Sequence, residues 1–313
     1  MKIVFLDAKT IGEDIDLSGF DALGEVVKYG FSTEQEARER SKDADVLILN
    51  KVQVNEQTIG EADHLKLVCV TATGTNNLDK EYLDKRGITW RNVAGYSTES
   101  VAQHTFAMLF YLLEKLPYYD NYVKSEKYVN DVSFTHFAKA FHELSGMTYG
   151  IIGLGNIGRR VADIAKVFGC RVIYYSTSGR NSQPGYERVS FDELLEQSDI
   201  VSIHAPLDEN TLGLMNKEAF AKMKKSAILL NVGRGPIINE ADLAEALNNK
   251  TIAAAGLDVL SVEPMQEDNP LRGIKDSERL LITPHIAWAG VEARNRLMGI
   301  ILGQIKEFFK AHE

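Results

Sequence analysis

The sequence predicts an α/β protein built from two doubly wound parallel sheets. Its length, 313 residues, is enough for about two domains, each with its own core. Along much of the chain, short runs of consecutive apolar residues alternate with helical stretches. Such runs are typical of strands in a parallel sheet that helices cover on both faces. A glycine-rich turn also leads from one apolar strand directly into a helix, as doubly wound folds require.

The first third of the chain is predicted to form an α/β unit without a glycine-rich turn of its own. Five strands are predicted there, at 2–6, 26–29, 45–49, 65–70 and 88–92, with a polar helix at 33–41. A long apolar helix at 101–116, ended by Pro117, should be buried around most of its circumference and cross to the second domain. Glu114 and Lys115 argue against a membrane span at this helix.

The second unit begins with a strand, a glycine-rich turn, a helix and a further strand. An apolar strand at 149–152 continues into Gly153-x-Gly155-x-x-Gly158, and the next strand is predicted at 172–175. This is the context that a dinucleotide-binding fingerprint requires. Gly153 should permit the tight turn, Gly155 should let the backbone approach a pyrophosphate, and Gly158 should let the helix pack closely on the strand. The sequence therefore predicts a dinucleotide whose pyrophosphate lies at the helix N-terminus.

The remaining pattern completes the second unit and then returns to the first. Further strands are predicted at 200–204, 227–231, 253–258 and 280–283, with helices at 192–197, 217–223 and 240–248. A last helix, at 291–311, is expected to pack on the first unit. The predicted domains are therefore 1–98 plus 287–313 for the first and 99–286 for the second.

Composition excludes several classes of function. A net charge of -9 and a pI near 5.4 argue against a general nucleic-acid or anionic-membrane surface. The only cysteines, Cys69 and Cys170, lie in or beside apolar runs, so a disulfide framework is not expected and a reducing compartment is favoured. No run resembles a signal peptide or is long enough to span a bilayer, so a cytoplasmic protein is expected.

Four strand ends of the second unit carry residues that could perform chemistry. They place His204, Arg234, Asp258 with Glu263, and His285 at the carboxyl edge of the predicted sheet, where ligands bind in such folds. Each is a weak signal alone, because Arg234 could be a surface residue and His285 a structural histidine. Glu263 could face solvent, and Asp258 could be a turn residue. Together they offer an arginine for a carboxylate and a histidine–carboxylate pair for proton transfer, which 2-hydroxy-acid oxidation needs.

At these residues the sequence resembles the family of D-isomer-specific 2-hydroxy-acid dehydrogenases, over nearly the whole chain. The matching blocks are 72–77, 92–96, 100–104, 150–158, 199–207, 231–235, 256–264 and 283–287. The resemblance implies a Rossmann dinucleotide-binding domain and a flavodoxin-like substrate domain, with the site in the cleft between them. It implies direct hydride transfer to a small 2-oxo acid, without a metal.

The resemblance also implies roles for individual residues. His285 would exchange a proton with the substrate oxygen, Glu263 would hold His285, and Arg234 would bind the substrate carboxylate. Backbone N–H groups around Gly74 and Gly95 would complete the carboxylate cradle. The expected substrate-binding set is Lys51, Thr73, Gly74, Gly95, Arg234, His285 and Trp288. The expected cofactor-binding set is Gly153, Gly155, Asn156, Ile157, Gly158, Ser176, Thr177, Arg180, Ala205, Pro206, Thr211, Val232, Gly233 and Asp258, with Asp258 at the nicotinamide carboxamide.

The sequence departs from the expected NAD pattern after the second strand of the fingerprint. Ser176 stands where an acidic residue would bind the ribose 2′-hydroxyl, and no Asp or Glu follows before Glu187. Ser176, Thr177 and Arg180 could instead donate hydrogen bonds to a 2′-phosphate. The alternative is that Ser176 binds a plain ribose and Arg180 points into solvent. NADP is slightly favoured over NAD.

Other parts of the sequence bear on the substrate and on the oligomeric state. The blocks around Lys51, 73–77, 94–96 and 283–289 look most like the glycerate dehydrogenase, or hydroxypyruvate reductase, branch. Lys51 could face the substrate or solvent, and Trp288 could pack beside His285 or anchor a domain interface. Glyoxylate, D-lactate and 2-hydroxyisocaproate are alternative substrates. A dinucleotide-sensing module, as in corepressors that resemble the family, is the non-enzymatic alternative. The resemblance and the long apolar helix suggest a homodimer, with 118–141 as a possible subunit contact.

Overall fold

The computed structural model describes residues 1–180 and 182–311 and divides the chain into two compact units. One unit comprises Met1–Ser97 and Ala289–Glu313, and the other comprises Thr98–Trp288. The last two residues of the predicted range 287–313 lie outside the described residues. The two predicted domains, with their assignment to substrate and cofactor, remain a prediction.

The first unit contains a five-stranded parallel sheet. Its strands are β1 (Lys2–Phe5), β2 (Glu25–Lys28), β3 (Val46–Leu49), β4 (Leu67–Val70) and β5 (Thr89–Arg91), in the spatial order β2-β1-β3-β4-β5. This is the strand order of flavodoxin-like doubly wound folds, which confirms the predicted class. Every residue of β3 and β4 is buried, as expected for central strands covered on both faces.

In the described part of the chain, three short helices, one long C-terminal helix and two 3-10 helices accompany this sheet. They are α1 (Glu34–Ser41), α2 (Glu56–Ile59), α3 (Lys80–Lys85), the C-terminal helix (Val291–Lys310) and 3-10 helices at Ala8–Thr10 and Ser18–Leu23. Local sequence sets where α1 begins, because Thr33 and Glu36 form a capping box around the first turn. The C-terminal helix buries one stripe of side chains, including Leu297, Ile301 and Ile305. The helix predicted at 291–311 therefore forms nearly as expected, within this unit.

The second unit contains a seven-stranded parallel sheet. Its strands are β6 (Thr148–Ile152), β7 (Arg171–Tyr175), β8 (Glu187–Arg188), β9 (Ile200–Ile203), β10 (Ile228–Asn231), β11 (Ala254–Leu257) and β12 (Leu280–Ile282), in the order β12-β11-β10-β9-β6-β7-β8. Counted from β6, this is the Rossmann order 3-2-1-4-5-6 with a seventh strand added, which confirms the prediction. The edge strand β8 was not predicted, since both of its residues are polar and exposed.

Helices on both faces of the second sheet bury its two sides. They are α4 (Thr98–Leu113), α6 (Asn156–Val167), α7 (Phe191–Gln197), α8 (Lys217–Lys222) and α9 (Glu240–Asn248). The unit also contains α5 (Leu116–Lys124), which buries none of its residues, and 3-10 helices at Tyr128–Asn130, Gly235–Ile237, Pro270–Gly273 and Ser277–Arg279. One core contains Ile203, Leu229 and Leu243. The other contains Leu109 and Tyr149.

The long helix predicted at 101–116 is wrong at both ends. It begins at Thr98 and ends at Leu113, and Lys115 then adopts a left-handed backbone with φ +55°. Pro117 does not end this helix but stands in the first turn of α5, where a missing N–H costs nothing. Leu116 exposes 52% of its surface, so the burial expected there is absent.

The segment after α5 exposes several large apolar side chains. Phe134 and Phe137 each expose 87% of their surface. In the part of the chain that the structure describes, no helix combines the length and apolarity needed to cross a membrane.

Candidate active site

The glycine-rich turn between β6 and α6 has the geometry of an anion-binding loop. Gly153 adopts φ +91°, and a Cβ there would lie 2.8 Å from backbone atoms of Ala205. A Cβ on Gly158 would collide with the carbonyl oxygen of Gly153, so the helix can pack this closely only with glycine. Gly155, the N-cap of α6, has open space where a side chain would point. Asn156 opens a first helical turn without an acidic residue, so its N–H groups fit a pyrophosphate.

The loop after β9 lies against this turn. Ala205 is buried beneath Gly153, whereas Pro206 is exposed. Thr211, predicted to line the cofactor groove, is fully buried. Its hydroxyl lies 2.8 Å from the carbonyl oxygen of Pro206 and 2.8 Å from the amide nitrogen of Asp208. Thr211 therefore holds the loop in shape, and its contact with a cofactor stays a prediction.

The residues expected to bind the cofactor ribose or its 2′-phosphate follow β7. Ser176 exposes only 3% of its surface, Thr177 is half-buried and Arg180 is exposed. The carbonyl oxygen of Ser176 accepts a hydrogen bond from the amide of Gly179 at 3.1 Å, which closes a turn. Of these three side chains, that of Arg180 is the most accessible to a ligand.

Arg234 lies in a loop after β10 that a buried asparagine organises. The Asn231 side chain donates to the carbonyl oxygen of Arg234 (2.9 Å) and accepts from the amide of Gly233 (3.0 Å). The guanidinium of Arg234 is half-buried and donates to the carbonyl oxygen of Gly233 at 2.8 Å. Val232 is half-buried beside the core of the second unit. Sequence reasoning did not single out Asn231, although an asparagine as the last residue of a buried strand was a visible signal.

Glu263 and His285 form a direct pair. Oε2 of Glu263 lies 2.7 Å from Nδ1 of His285, and its Oε1 accepts from the amide of Leu260 at 3.0 Å. Because an ionised carboxylate can only accept, Nδ1 carries the proton and Nε2 is the nitrogen left for a substrate. Both side chains are about one-third exposed, at 31% for His285 and 32% for Glu263, so a substrate could reach the pair.

Asp258 holds the segment that carries His285. Its carboxylate accepts from the amides of Ile286 and Ala287, both at 2.8 Å, and from the hydroxyl of Thr283 at 2.6 Å. The amide of His285 donates to the carbonyl oxygen of Asp258 at 2.8 Å. Asp258 is 1% exposed, so most of its acceptor capacity serves the protein. Its predicted contact with the nicotinamide carboxamide stays a prediction.

His204 differs from His285 in its burial and in its hydrogen-bond partner. Its Nε2 lies 2.9 Å from the hydroxyl oxygen of Ser202, and its Nδ1 atom is fully buried. Burial lowers the pKa of His204 to about 3, so the ring is neutral at physiological pH. His204 is therefore a structural histidine of the second unit.

The expected substrate residues of the first unit lie at the carboxyl edge of its sheet. Lys51 follows β3, Thr73 and Gly74 follow β4, and Gly95, at φ +78°, follows β5. The Thr73 hydroxyl donates to the carbonyl oxygen of Val93 at 3.0 Å, which ties the last two of these loops together. Lys51 and Gly95 are exposed, and their contact with a substrate stays a prediction.

A buried carboxylate at the end of β1 supports the Lys51 loop. Asp7 accepts from the amides of Asn50 (2.8 Å), Lys51 (2.7 Å) and Val52 (3.3 Å). Burial raises the pKa of Asp7, and the three amides oppose that rise. Sequence reasoning missed Asp7, because an aspartate after a strand is also an ordinary turn residue.

Some of the predicted site residues are in direct contact, whereas others lie only on neighbouring strand ends. Glu263 and His285 touch, Asp258 holds the His285 segment, and Arg234 lies on the loop of the neighbouring strand β10. Trp288 is half-buried three residues after His285. Within residues 1–180 and 182–311, no group of three or more His, Cys, Asp or Glu side chains could hold a metal ion.

Comparison with known proteins decides the family. Residues 106–287 match the model of the D-isomer specific 2-hydroxyacid dehydrogenase, NAD binding domain. The chain belongs to this family. It is 38% identical to the hydroxypyruvate reductase of Blautia hydrogenotrophica, over 99% of this chain and 97% of that one. It is 33% identical to the glycerate dehydrogenase of Methylorubrum extorquens, over 98% and 96%. As a D-2-hydroxyacid dehydrogenase, the protein is an oxidoreductase acting on CH–OH groups.

Solved structures share the two-domain fold. The D-lactate dehydrogenase from Aquifex aeolicus, complexed with NAD and lactic acid, has a TM-score of 0.84 at 27% identity and matches 99% of this chain and 96% of its own. An acyclic imino acid reductase in complex with NADPH and D-Arg has a TM-score of 0.86 at 28% identity, over 99% and 98%. Both nicotinamide dinucleotides therefore occur among similar structures.

Proposed function

We propose that this D-2-hydroxyacid dehydrogenase interconverts hydroxypyruvate and D-glycerate with a nicotinamide dinucleotide. The observation that carries the proposal is the pair of Glu263 and His285, 2.7 Å apart at the carboxyl edge of the seven-stranded sheet. The names of two relatives, a hydroxypyruvate reductase and a glycerate dehydrogenase, support this substrate pair. We assign cofactor binding to 99–286 and substrate binding to 1–98 plus 287–313.

In reduction, Nε2 of His285 would donate a proton to the substrate carbonyl oxygen. Glu263 would keep the ring oriented and stabilise its charged form, since its carboxylate already accepts from Nδ1. Arg234 would bind the substrate carboxylate with its guanidinium, which suits a planar two-oxygen group. Lys51 and backbone amides near Thr73, Gly74 and Gly95 would contact the substrate from the first unit, and Trp288 would pack beside His285. In oxidation the same groups would act in reverse.

The cofactor supplies or accepts the hydride when it is bound. The residues present fit it, because the turn at Gly153, Gly155 and Gly158 leaves the N-terminus of α6 open to a pyrophosphate. We propose that NADP is slightly preferred over NAD. Support comes from Ser176, which replaces the usual carboxylate, and from the exposed Arg180, which could pair with a 2′-phosphate.

We further propose a cytoplasmic homodimer. The exposed Phe134 and Phe137 offer an apolar surface of the kind that subunit contacts cover. Cys69 and Cys170 are free and buried, as is usual in reducing compartments. A monomer mass in gel filtration would refute the dimer.

Nicotinamide absorbance tests the proposed function. Hydroxypyruvate, glyoxylate, pyruvate and 2-oxoisocaproate are each assayed with NADH and with NADPH. We expect hydroxypyruvate to give the highest kcat/KM, with NADPH slightly ahead. A higher value for another 2-oxo acid would keep the family and refute the substrate. Tight dinucleotide binding without turnover of any acid would favour a sensing module.

A further inference from the structure

A hydrogen-bonded chain of side chains begins on α4 and ends beneath the His285 segment. Nε2 of His104 lies 3.0 Å from the hydroxyl oxygen of Thr283 and 3.6 Å from Oδ1 of Asp258. The Thr283 hydroxyl lies 2.6 Å from the same Oδ1. His104 is 20% exposed, and all three residues belong to the second unit.

The order of donors along this chain is fixed by chemistry. The carboxylate of Asp258 can only accept, so the single hydroxyl hydrogen of Thr283 is used at Oδ1. The Thr283 oxygen must therefore accept from His104, which requires a proton on Nε2 of His104. The sequence of donation runs from His104 to Thr283 to Asp258.

The last member of the chain controls the backbone on which His285 stands. Oδ1 of Asp258 also accepts from the amide of Ile286, and Oδ2 accepts from the amide of Ala287. His285 itself adopts a left-handed backbone with φ +55°. This conformation costs a non-glycine residue about 1 kcal/mol, so surrounding contacts must maintain it.

We propose that His104 is a positioning residue for catalysis. It acts through Thr283 to hold the carboxylate of Asp258, and thereby the left-handed segment that presents His285 to its substrate. Glu263 orients the imidazole ring, whereas the chain from His104 orients the backbone that carries the ring. The catalytic consequence rests on the function proposed above, but the backbone contacts can be tested without turnover.

Two matched pairs of variants test the chain. His104→Leu removes the donor, and His104→Gln places an amide nitrogen near the position of Nε2. Thr283→Val removes the hydroxyl at constant shape, and Thr283→Ser restores it. We expect the Leu and Val variants to lower kcat for the preferred 2-oxo acid about tenfold, with KM and nucleotide affinity changed less than threefold, because a misplaced catalytic group costs rate. The Gln and Ser variants should recover most of the loss.

The double variant His104→Leu/Thr283→Val separates a shared chain from two independent effects. Substitutions within one hydrogen-bonded chain should not have additive effects. The kcat of the double variant should therefore lie within about twofold of the kcat of the slower single variant. Multiplied losses would contradict the proposal. So would an unchanged kcat in His104→Leu, or a loss that His104→Gln does not restore.

Amide hydrogen exchange over 283–290 provides a readout that does not depend on turnover. In His104→Leu, the amides of Ile286 and Ala287 should exchange at least about tenfold faster, because their acceptor is less firmly held. Unchanged exchange would overturn the proposal, whatever the enzyme's substrate. If exchange rises but wild-type protein reduces none of the acids, the proposed function fails and the positioning chain stands.

Discussion

Glu263 divides its two carboxylate oxygens between His285 and the backbone of its own loop. Oε2 lies 2.7 Å from Nδ1 of His285, and Oε1 accepts from the amide of Leu260 at 3.0 Å. The second bond fixes the carboxylate before any substrate arrives, so the imidazole meets an acceptor of fixed orientation. In the imidazole ring, Nδ1 is therefore bound to Glu263, and Nε2 is available to a substrate.

Replacing this carboxylate should damage catalysis more than binding. In Glu263→Gln, the amide should weaken both the alignment of His285 and the support of its charged form. We expect kcat to fall roughly 10²- to 10³-fold, with a small change in nucleotide affinity. Steady-state kinetics measures this loss. The exposed Glu267, four residues on, provides the control Glu267→Gln, which should stay at the wild-type rate.

A substitution at Arg234 tests whether its guanidinium binds the substrate carboxylate. Arg234→Lys keeps the positive charge but loses the planar fork, so kcat/KM for a 2-oxo acid should fall about 100-fold. Arg188→Lys, on the exposed edge strand β8, is the matched control. Equal kinetics of Arg234→Lys and wild type would remove Arg234 from the substrate site.

Cofactor preference should respond to a carboxylate at Ser176. Ser176→Asp should shift the ratio of kcat/KM values toward NADH at least about tenfold, because the new charge would repel a 2′-phosphate and accept from a ribose hydroxyl. Ser178→Asp, exposed in the same turn, adds the same charge two residues away. An equal shift in both variants would mean that general charge, rather than the Ser176 position, sets the preference.

His204 should make the protein sensitive to acid. Its pKa is about 3 in the folded chain against an ordinary 6.5, so below pH 6.5 the unfolded chain binds a proton that the folded chain does not. The free energy of unfolding therefore decreases as pH falls from 6.5 toward 3. The His204 imidazole accounts for a decrease of up to about 2 kcal/mol at pH 5.

Urea unfolding at pH 7.5 and pH 5 measures this loss. His204→Gln cannot titrate and should lose up to about 2 kcal/mol less than wild type between the two values. His64→Gln, at an exposed histidine, should behave as wild type. The same pH dependence in His204→Gln and wild type would show that other groups cause the loss.

The sequence predicted the regular elements well where burial controls them. Strands such as β3 and β10 are buried at every residue, and their apolar runs located them to within about two residues. Edge strand β8 has no apolar residue, so no pattern could indicate it. The break between α4 and α5 was missed because the apolar pattern continues to Leu116, while the chain turns at Lys115.

The candidate site was predictable as a set of strand-end residues, but most of its hydrogen bonds were not. Strand ends and the family resemblance pointed to Glu263 and His285, which the structure places in contact. The part played by Asp258 depends on contacts with Ile286 and Ala287, 28 and 29 residues away. The support that Asp7 gives to Lys51 spans 44 residues. Local patterns carry no information on such pairings, which arise only when separate strands come together.

The most direct test of the proposed chemistry is the turnover of His285→Asn. Asparagine tolerates the left-handed backbone at φ +55° better than alanine does, so this variant removes the imidazole with little strain. Reduction of hydroxypyruvate is followed together with nucleotide affinity. We predict a kcat roughly 10³-fold below wild type and an unchanged affinity for the dinucleotide. A kcat within tenfold of wild type would contradict the role of His285 as the proton donor.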